Sequence, residues 1–363
     1  MLHTNKQMFR WCVALGLVLV GCGPAAVAPA PPPVQLEPQP SPDAVWPWKG
    51  VKKEEVSDGV SRWFYRSPND GTELELFEFD FAKNKRLSFE IYDQDEDDQK
   101  PFDNKADYFP NGVGQVVKHL QERNRGKVLA AWNGLFFGYD VKAGAPPHGF
   151  ANHIGPVVLR GKIYHNVGRH RWTFGVRYID GMPSFRTILL PAKDRLEGEF
   201  DFAADGAQCL ILNGEATKLQ PYPGLTKAEI PGPTDAGHIP TVDYMKTSRT
   251  SLGWSKDSTK LYALIVNEPD TEVESKLAIR HGKVSKGGWM LSDLQRFWTA
   301  MGVWGAINSD GGMPTQSVWL RPDGKYEMLP SGSVLGNQRM VYDDLSKSPT
   351  GGSLLTFYVT ERK

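Results

Sequence analysis

Leu261-Tyr-Ala-Leu-Ile-Val266, Ser292-Asp-Leu-Gln-Arg-Phe-Trp-Thr-Ala-Met301 and Trp304-Gly-Ala-Ile-Asn308 follow one another in the last third of the chain. The first is an unbroken apolar run of strand length, the kind buried on both faces. In the second, Leu294, Phe297, Trp298 and Met301 recur at helical spacing, with Ser292 as the predicted N-cap. The third is again a short apolar strand. Strand, helix, strand is the pattern of a βαβ unit, whose two strands run parallel. The expected fold class is therefore α/β, an α+β mixture in a single domain: a mixed β-sheet, a C-terminal βαβ unit and flanking helices.

Upstream the pattern changes to strands. Glu73 to Phe81 alternates apolar and acidic residues with one slip at Leu76-Phe77, which reads as a strand with a bulge. Arg86 to Tyr92 reads as a second strand. Gly112 to Arg123 places Val113, Val116, Val117 and Leu120 at helical spacing, so a helix is expected there. Val128 to Trp132 is a short strand ending at Asn133-Gly134. Residues 155–215 read as strands joined by tight turns at Arg160-Gly161, Asp180-Gly181 and Asn213-Gly214. The stretch 220–240, with five prolines and three glycines, reads as a long loop.

The first residues have another character. Lys6 and Arg10 precede the apolar run Trp11–Val20, which is too short to span a bilayer. A charged start, a short apolar run and small residues mark a secretory signal. Leu19-Val20-Gly21-Cys22 resembles the bacterial lipobox, which implies cleavage after residue 21 and acylation of Cys22. Residues 24–47 hold nine of the 27 prolines and favour extended polyproline II over packing. The expected organisation is a lipoprotein signal at 1–21, a Pro-rich linker at 22–47 and one folded domain at 48–363. The expected location is the cell envelope, tied to the membrane through the lipid. Gly23 lacks the acidic signal of inner-membrane retention, which favours the outer membrane in a Gram-negative cell.

Equal numbers of basic and acidic residues, 42 each, argue against nucleic acid as a partner. No Gly-x-Ser-x-Gly elbow, phosphate-binding loop or dinucleotide fingerprint is present. Of the three cysteines, Cys12 leaves with the signal and Cys22 carries lipid. Cys209, in an apolar run, reads as a small buried hydrophobe. The acidic run from Asp93 to Asp98 has Asp98 and Asn104 where a calcium loop needs Gly and Glu, so a solvated loop is expected. His148 and His153, and likewise His165 and His170, are five apart, not at the helical spacing of zinc motifs.

Three segments carry candidate chemistry. Asn133-Gly134 ends a strand, where Gly lets backbone approach a ligand and Asn133 can bond to a hydroxyl or phosphate oxygen. Arg249 offers a planar fork suited to phosphate, with the Thr250 hydroxyl beside it. Asn308 lies two residues before Asp310-Gly311-Gly312, at the C-terminal end of a strand. Asp310 there fits a general base, a stabiliser of positive charge or a metal ligand.

In order and separation, Ala130-Ala-Trp-Asn-Gly-Leu-Phe-Phe137, Ser248-Arg-Thr-Ser-Leu-Gly253 and Gly305-Ala-Ile-Asn-Ser-Asp-Gly-Gly312 resemble the phosphodiester glycosidase family, over roughly residues 125–345. The resemblance implies a hydrolase that cleaves the glycosidic bond of a sugar-1-phosphodiester. It implies Asp310 and Arg249 as catalytic residues, with Asn133, Gly134, Thr250, Asn308, Gly311 and Gly312 binding substrate. The partner implied is a sugar-phosphate glycan or glycoconjugate. No cofactor is indicated, and a divalent-metal requirement is left open. The sequence departs from the family pattern in two places. Asn267-Glu268 follows the strand 261–266 where the family has Asp-Gly. Met313-Pro314-Thr315-Gln316 stands where it has Gly-Ser-Ser, and Thr315 is the nearest hydroxyl. These departures keep a second expectation open, a non-catalytic glycan-binding surface lipoprotein.

Overall fold

The computed structural model describes residues 40–107, 112–123, 126–141, 149–165, 172–189, 196–221, 242–243, 246–268, 287–312, 314–331, 338–351 and 353–362. They lie within one compact unit, Gln39–Lys363. The signal segment and Cys22, most of the long loop 220–240, His148, His170 and Met313 lie outside the described residues.

Two large sheets form the body. Across the larger run β1 (Glu54–Ser57), β2 (Val60–Arg66), β3 (Glu73–Asp80), β18 (Lys260–Asn267), β17 (Arg249–Trp254), β19 (Gly305–Asn308), β13 (Phe202–Leu212), β11 (Trp172–Ile179) and β12 (Met182–Leu189). Beside β13 lie β9 (Val157–Leu159), itself paired with β10 (Lys162–Tyr164), and β14 (Glu215–Ala216). The second sheet runs β22 (Met340–Tyr342), β21 (Tyr326–Leu329), β20 (Ser317–Leu320), β6 (Lys127–Asn133), β23 (Leu355–Glu361) and β4 (Leu87–Asp93). A small sheet joins β5 (Ala106–Asp107), β8 (Gly149–His153) and β7 (Phe137–Val141), and β15 (Gln220–Pro221) pairs with β16 (Val242–Asp243). Two α-helices occur among the described residues, α1 (Val113–Glu122) and α2 (Leu291–Ala300).

The molecule is therefore mostly β, and the α/β class with a parallel βαβ unit is overturned. Strands β18 and β19 do flank α2 in sequence, but they are not neighbours. Strand β17 lies between them and is antiparallel to both, pairing Ser251 with Leu264 on one side and with Asn308 on the other. The physical reason lies in what covers the strands. An unbroken apolar run signals burial on both faces, and parallel sheets are the usual place for that. Here the burial comes from a second sheet on one face and a helix on the other. Leu261, Ala263 and Ile265 enter the core between the sheets, while Tyr262, Leu264 and Val266 enter the core beneath α2.

The same two-sided burial explains the slip in β3. Its register with β2 and β18 is continuous, so there is no bulge. Phe77 and Phe79 face the inter-sheet core and Leu74 and Leu76 face the α2 core. Across the inter-sheet core Phe79 stacks on Trp132 of β6, with ring centroids 5.8 Å apart. Helix α2 seats Trp298 against Gly253, and the indole Nε1 donates to Ser251 Oγ at 2.7 Å. Its first turn is closed by Asp293, whose carboxylate accepts the Met290 N–H at 2.9 Å, so Ser292 lies inside the helix and is not its cap. Helix α1 buries the expected apolar face, Val113, Val116, Val117 and Leu120.

The three turns form as their dipeptides dictate. Arg160-Gly161, Asp180-Gly181 and Asn213-Gly214 join paired strands with positive φ at both residues, the geometry that suits the twist of a two-residue hairpin. Cys209 is fully buried on β13, and burial pushes its thiol up to about 12. The acidic run is not a solvated loop throughout, because Asp93 and Asp95 are fully buried.

Candidate active site

Asn133 closes β6 in one sheet, Arg249 and Thr250 open β17 in the other, and Asn308 ends β19 beside them. Because β17 and β19 are antiparallel, the start of one strand meets the end of the next. The three motifs thus come together at one edge of the sandwich. Asn133 is the knot. Its Oδ1 accepts from Thr250 Oγ1 at 2.7 Å and from the Gln316 N–H at 3.2 Å, and its Nδ2 donates to the Asp310 carbonyl at 2.7 Å. The Asp310 N–H donates to the Gly134 carbonyl at 3.0 Å, and the Gly312 N–H to the Ser248 carbonyl at 2.7 Å. One side-chain amide and a few backbone bonds therefore fix all three segments.

The glycines allow this approach. A Cβ on Gly134 would lie 2.6 Å from Leu355 Cβ, and one on Gly311 would lie 2.8 Å from the Ser248 carbonyl oxygen and 3.4 Å from Arg249 Cδ. The Asp310 loop therefore lies directly against the root of the Arg249 side chain. Arg249 is 3 % exposed, and its Nε donates to the Trp289 carbonyl at 3.1 Å. Asp310 is 9 % exposed, and its Oδ1 accepts the Gly311 N–H at 2.9 Å. Gly311 and Gly312 are half-buried.

Asn133, Thr250 and Asn308 are fully buried. Asn308 Nδ2 donates to Gln208 Oε1 at 2.8 Å and to the Ser309 carbonyl. The Asn133 amide, the Thr250 hydroxyl and the Asn308 Nδ2 are committed to the frame, while Asp310, Gly311 and Gly312 stand nearest the surface. Among the described residues, no trio of His, Cys, Asp or Glu at metal-ligating distance includes Asp310.

Some members of the site carry no signal in the sequence. Gln316 receives the Val113 N–H on Oε1 at 2.9 Å and so ties α1 to the Asn133 knot. Ser248 Oγ accepts the Glu268 N–H at 3.0 Å, and the Trp289 carbonyl anchors Arg249. Backbone acceptors leave no trace in residue identity. Gln208 could have been noticed as the polar residue heading the apolar run 209–212 within β13. Thr315, the hydroxyl nearest the departed Ser-Ser pair, is 2 % exposed.

Comparison with solved structures bears on the fold. The chain is similar to the catalytic domain of zebrafish N-acetylglucosamine-1-phosphodiester alpha-N-acetylglucosaminidase, auto-inhibited by its pro-peptide. The TM-score is 0.52 at 20 % identity, over 86 % of this chain and 87 % of that one. A hypothetical protein from Synechocystis matches with TM-score 0.44 and 11 % identity, over 86 % of this chain and 64 % of the other. No family model and no curated protein matches the sequence. The likeness to that catalytic domain is one of fold.

Proposed function

We propose that this protein is a hydrolase of the cell envelope that cleaves the glycosidic bond of a sugar-1-phosphodiester. The observation that carries the reading is the Asn133 knot, which joins three motifs resembling phosphodiester glycosidases on a fold similar to such an enzyme's catalytic domain. A departing phosphodiester needs little protonation. The protein gains most by binding its charge and by stabilising an oxocarbenium-like centre. Arg249 binds the phosphate. Asp310 faces the anomeric carbon or the attacking water, held by the Gly311 N–H. Asn133, Thr250 and Asn308 are positioning residues that hold those two groups in place. The sugar-phosphate chain comes from an envelope polymer or exported glycoconjugate, and acylated Cys22 keeps the enzyme at the membrane.

The test incubates the membrane-associated protein with a panel of sugar-1-phosphodiesters, with and without a chelator. Free sugar and phosphomonoester should appear, and Asp310→Asn should lose at least about a hundredfold in rate. Cys22→Ser should move the activity to the soluble fraction. Full activity in Asp310→Asn sinks this site. Tight glycan binding without turnover in the wild type would make the protein a surface glycan-binding lipoprotein instead.

A further inference from the structure

Away from the Asn133 knot, four buried side chains gather around one point. Asp93 ends β4, Asp95 follows it in the short helix Gln94–Glu96, His153 ends β8, and His165 follows β10. Their side chains are at most 3 % exposed. His153 Nε2 lies 3.0 Å from Asp93 Oδ2, and His165 Nε2 lies 3.7 Å from the same oxygen and 2.9 Å from Asp95 Oδ2. The two imidazole rings are stacked, with centroids 4.3 Å apart and planes 23° from parallel. Despite this closeness, His153 Nε2, His165 Nε2, Asp93 Oδ2 and Asp95 Oδ1 make no hydrogen bond of acceptable geometry. Four unsatisfied polar atoms in one buried spot are a costly arrangement for a protein that holds nothing there.

We infer that Asp93, His153 and His165 bind a divalent transition-metal ion, of which zinc is the natural choice, with Asp95 placed to close the fourth position. One donor atom from each of the first three lies within 4.8 Å of the others. Zinc bonds of 2.0–2.2 Å in a tetrahedron put donors about 3.3–3.6 Å apart. The separations of 2.9–3.7 Å straddle that spacing. Two imidazoles with carboxylates suit zinc or a neighbouring transition ion, whereas calcium and magnesium take all-oxygen shells. The outer contacts suit ligand duty. Asp93 Oδ1 accepts the Asp95 N–H at 3.0 Å, Asp95 Oδ2 accepts the Asn104 N–H at 2.9 Å, and Asn104 Oδ1 accepts the His153 N–H at 2.7 Å.

A buried site with four protein donors is structural in kind. Its place in the sheets says what it braces. Asp93 pairs with Leu355 of β23, and the Leu355 carbonyl accepts the Gly134 N–H at 2.7 Å. His153 pairs with Phe137, three residues beyond Gly134. The ion would clamp both flanks of the turn that carries Asn133.

The experiment measures metal content and heat stability of the purified wild-type protein and needs no substrate. Elemental analysis after growth with zinc should find about one zinc per chain. Exhaustive chelation should lower Tm by roughly 5 °C or more, and added Zn²⁺ should restore it. Co²⁺ loaded into the stripped protein should give the visible absorption of a four-coordinate site. His153→Ala and His165→Ala should lose the metal, while Asp103→Asn should keep it. A wild type that takes up neither Zn²⁺ nor Co²⁺ and whose Tm ignores both overturns the site, whether or not the variants fold.

Discussion

Arg249 opens β17 with its Nε tied to the Trp289 carbonyl and its stem lying over Gly311. The plane of the guanidinium is thus oriented before a ligand arrives. Under the proposed chemistry, charge grows on the phosphate as the glycosidic bond breaks, so this arginine lowers the barrier as well as aiding binding. Lysine keeps the charge but has neither the fork nor the Nε–H that the Trp289 carbonyl takes. Arg249→Lys should lose about tenfold to a thousandfold in kcat/KM, roughly 1.4–4 kcal/mol of transition-state stabilisation. Steady-state kinetics beside a thermal melt read the result. Unchanged kinetics would make Arg249 a structural residue.

At the scale of elements, the turns and α1 were legible because their signals are local. A dipeptide such as Asp180-Gly181 needs positive φ whatever surrounds it, and the apolar stripe of α1 is complete within one segment. The pairing of β18 and β19 each with β17, and not with one another, was not legible. Burial on both faces is recorded in Leu261–Val266, but the identity of the covering layer is not, and neither is the insertion of β17. The candidate motifs could be read as strand ends, yet their joining through the Asn133 amide depends on contacts between residues more than a hundred positions apart. The ligand-like set escaped for a related reason: it takes one histidine from each sequence pair and two carboxylates from the acidic run. The seat of α2 offers a direct test at this scale. A Cβ on Gly253 would stand 2.7 Å from the Trp298 ring, which is itself bonded to Ser251. Gly253→Ala should cost about 1–3 kcal/mol by pushing the helix off the sheet. Denaturant unfolding with an unchanged midpoint would show that Trp298 yields freely.

Across the whole molecule, one buried charge network links the two sheets. Glu75 of β3 is fully buried, receives Arg62 Nε at 2.7 Å and Arg339 Nη1 at 2.9 Å, and accepts from Ser317 Oγ of β20 at 3.3 Å. Arg62 reaches on to Glu327 of β21 and lies over the Trp319 ring at 4.5 Å. Burial alone would raise the Glu75 carboxyl, but Arg339 and Arg62 outweigh it and hold it below the usual carboxylate range. A lowered folded-state value means stability that is complete above the unfolded value and lost as pH falls through the folded one. Unfolding should therefore begin below about pH 4.3 and be steep, since Glu73 is shifted the same way. Glu75→Gln should cost about 3–5 kcal/mol at neutral pH by leaving two arginines undercompensated, and should flatten the acid limb. Chemical denaturation across pH 3–8 measures both. An acid limb identical in wild type and variant would remove Glu75 as its cause.

Strand β23 sits inside the second sheet, between β6 and β4, and among the described residues β4 meets no other strand there. The partners Leu87 and Glu361 are separated by almost the whole folded chain. The sheet cannot close around β6 until residues 355–361 are available, so an emerging chain holds β4 without its partner until that distant segment has been made. Loop closure of that length is slow, and its entropy is repaid only when β23 docks. The docking of β23 is thus the step that commits this sheet, and the Gly134 turn, which hangs from the Leu355 carbonyl, takes its shape at that same moment.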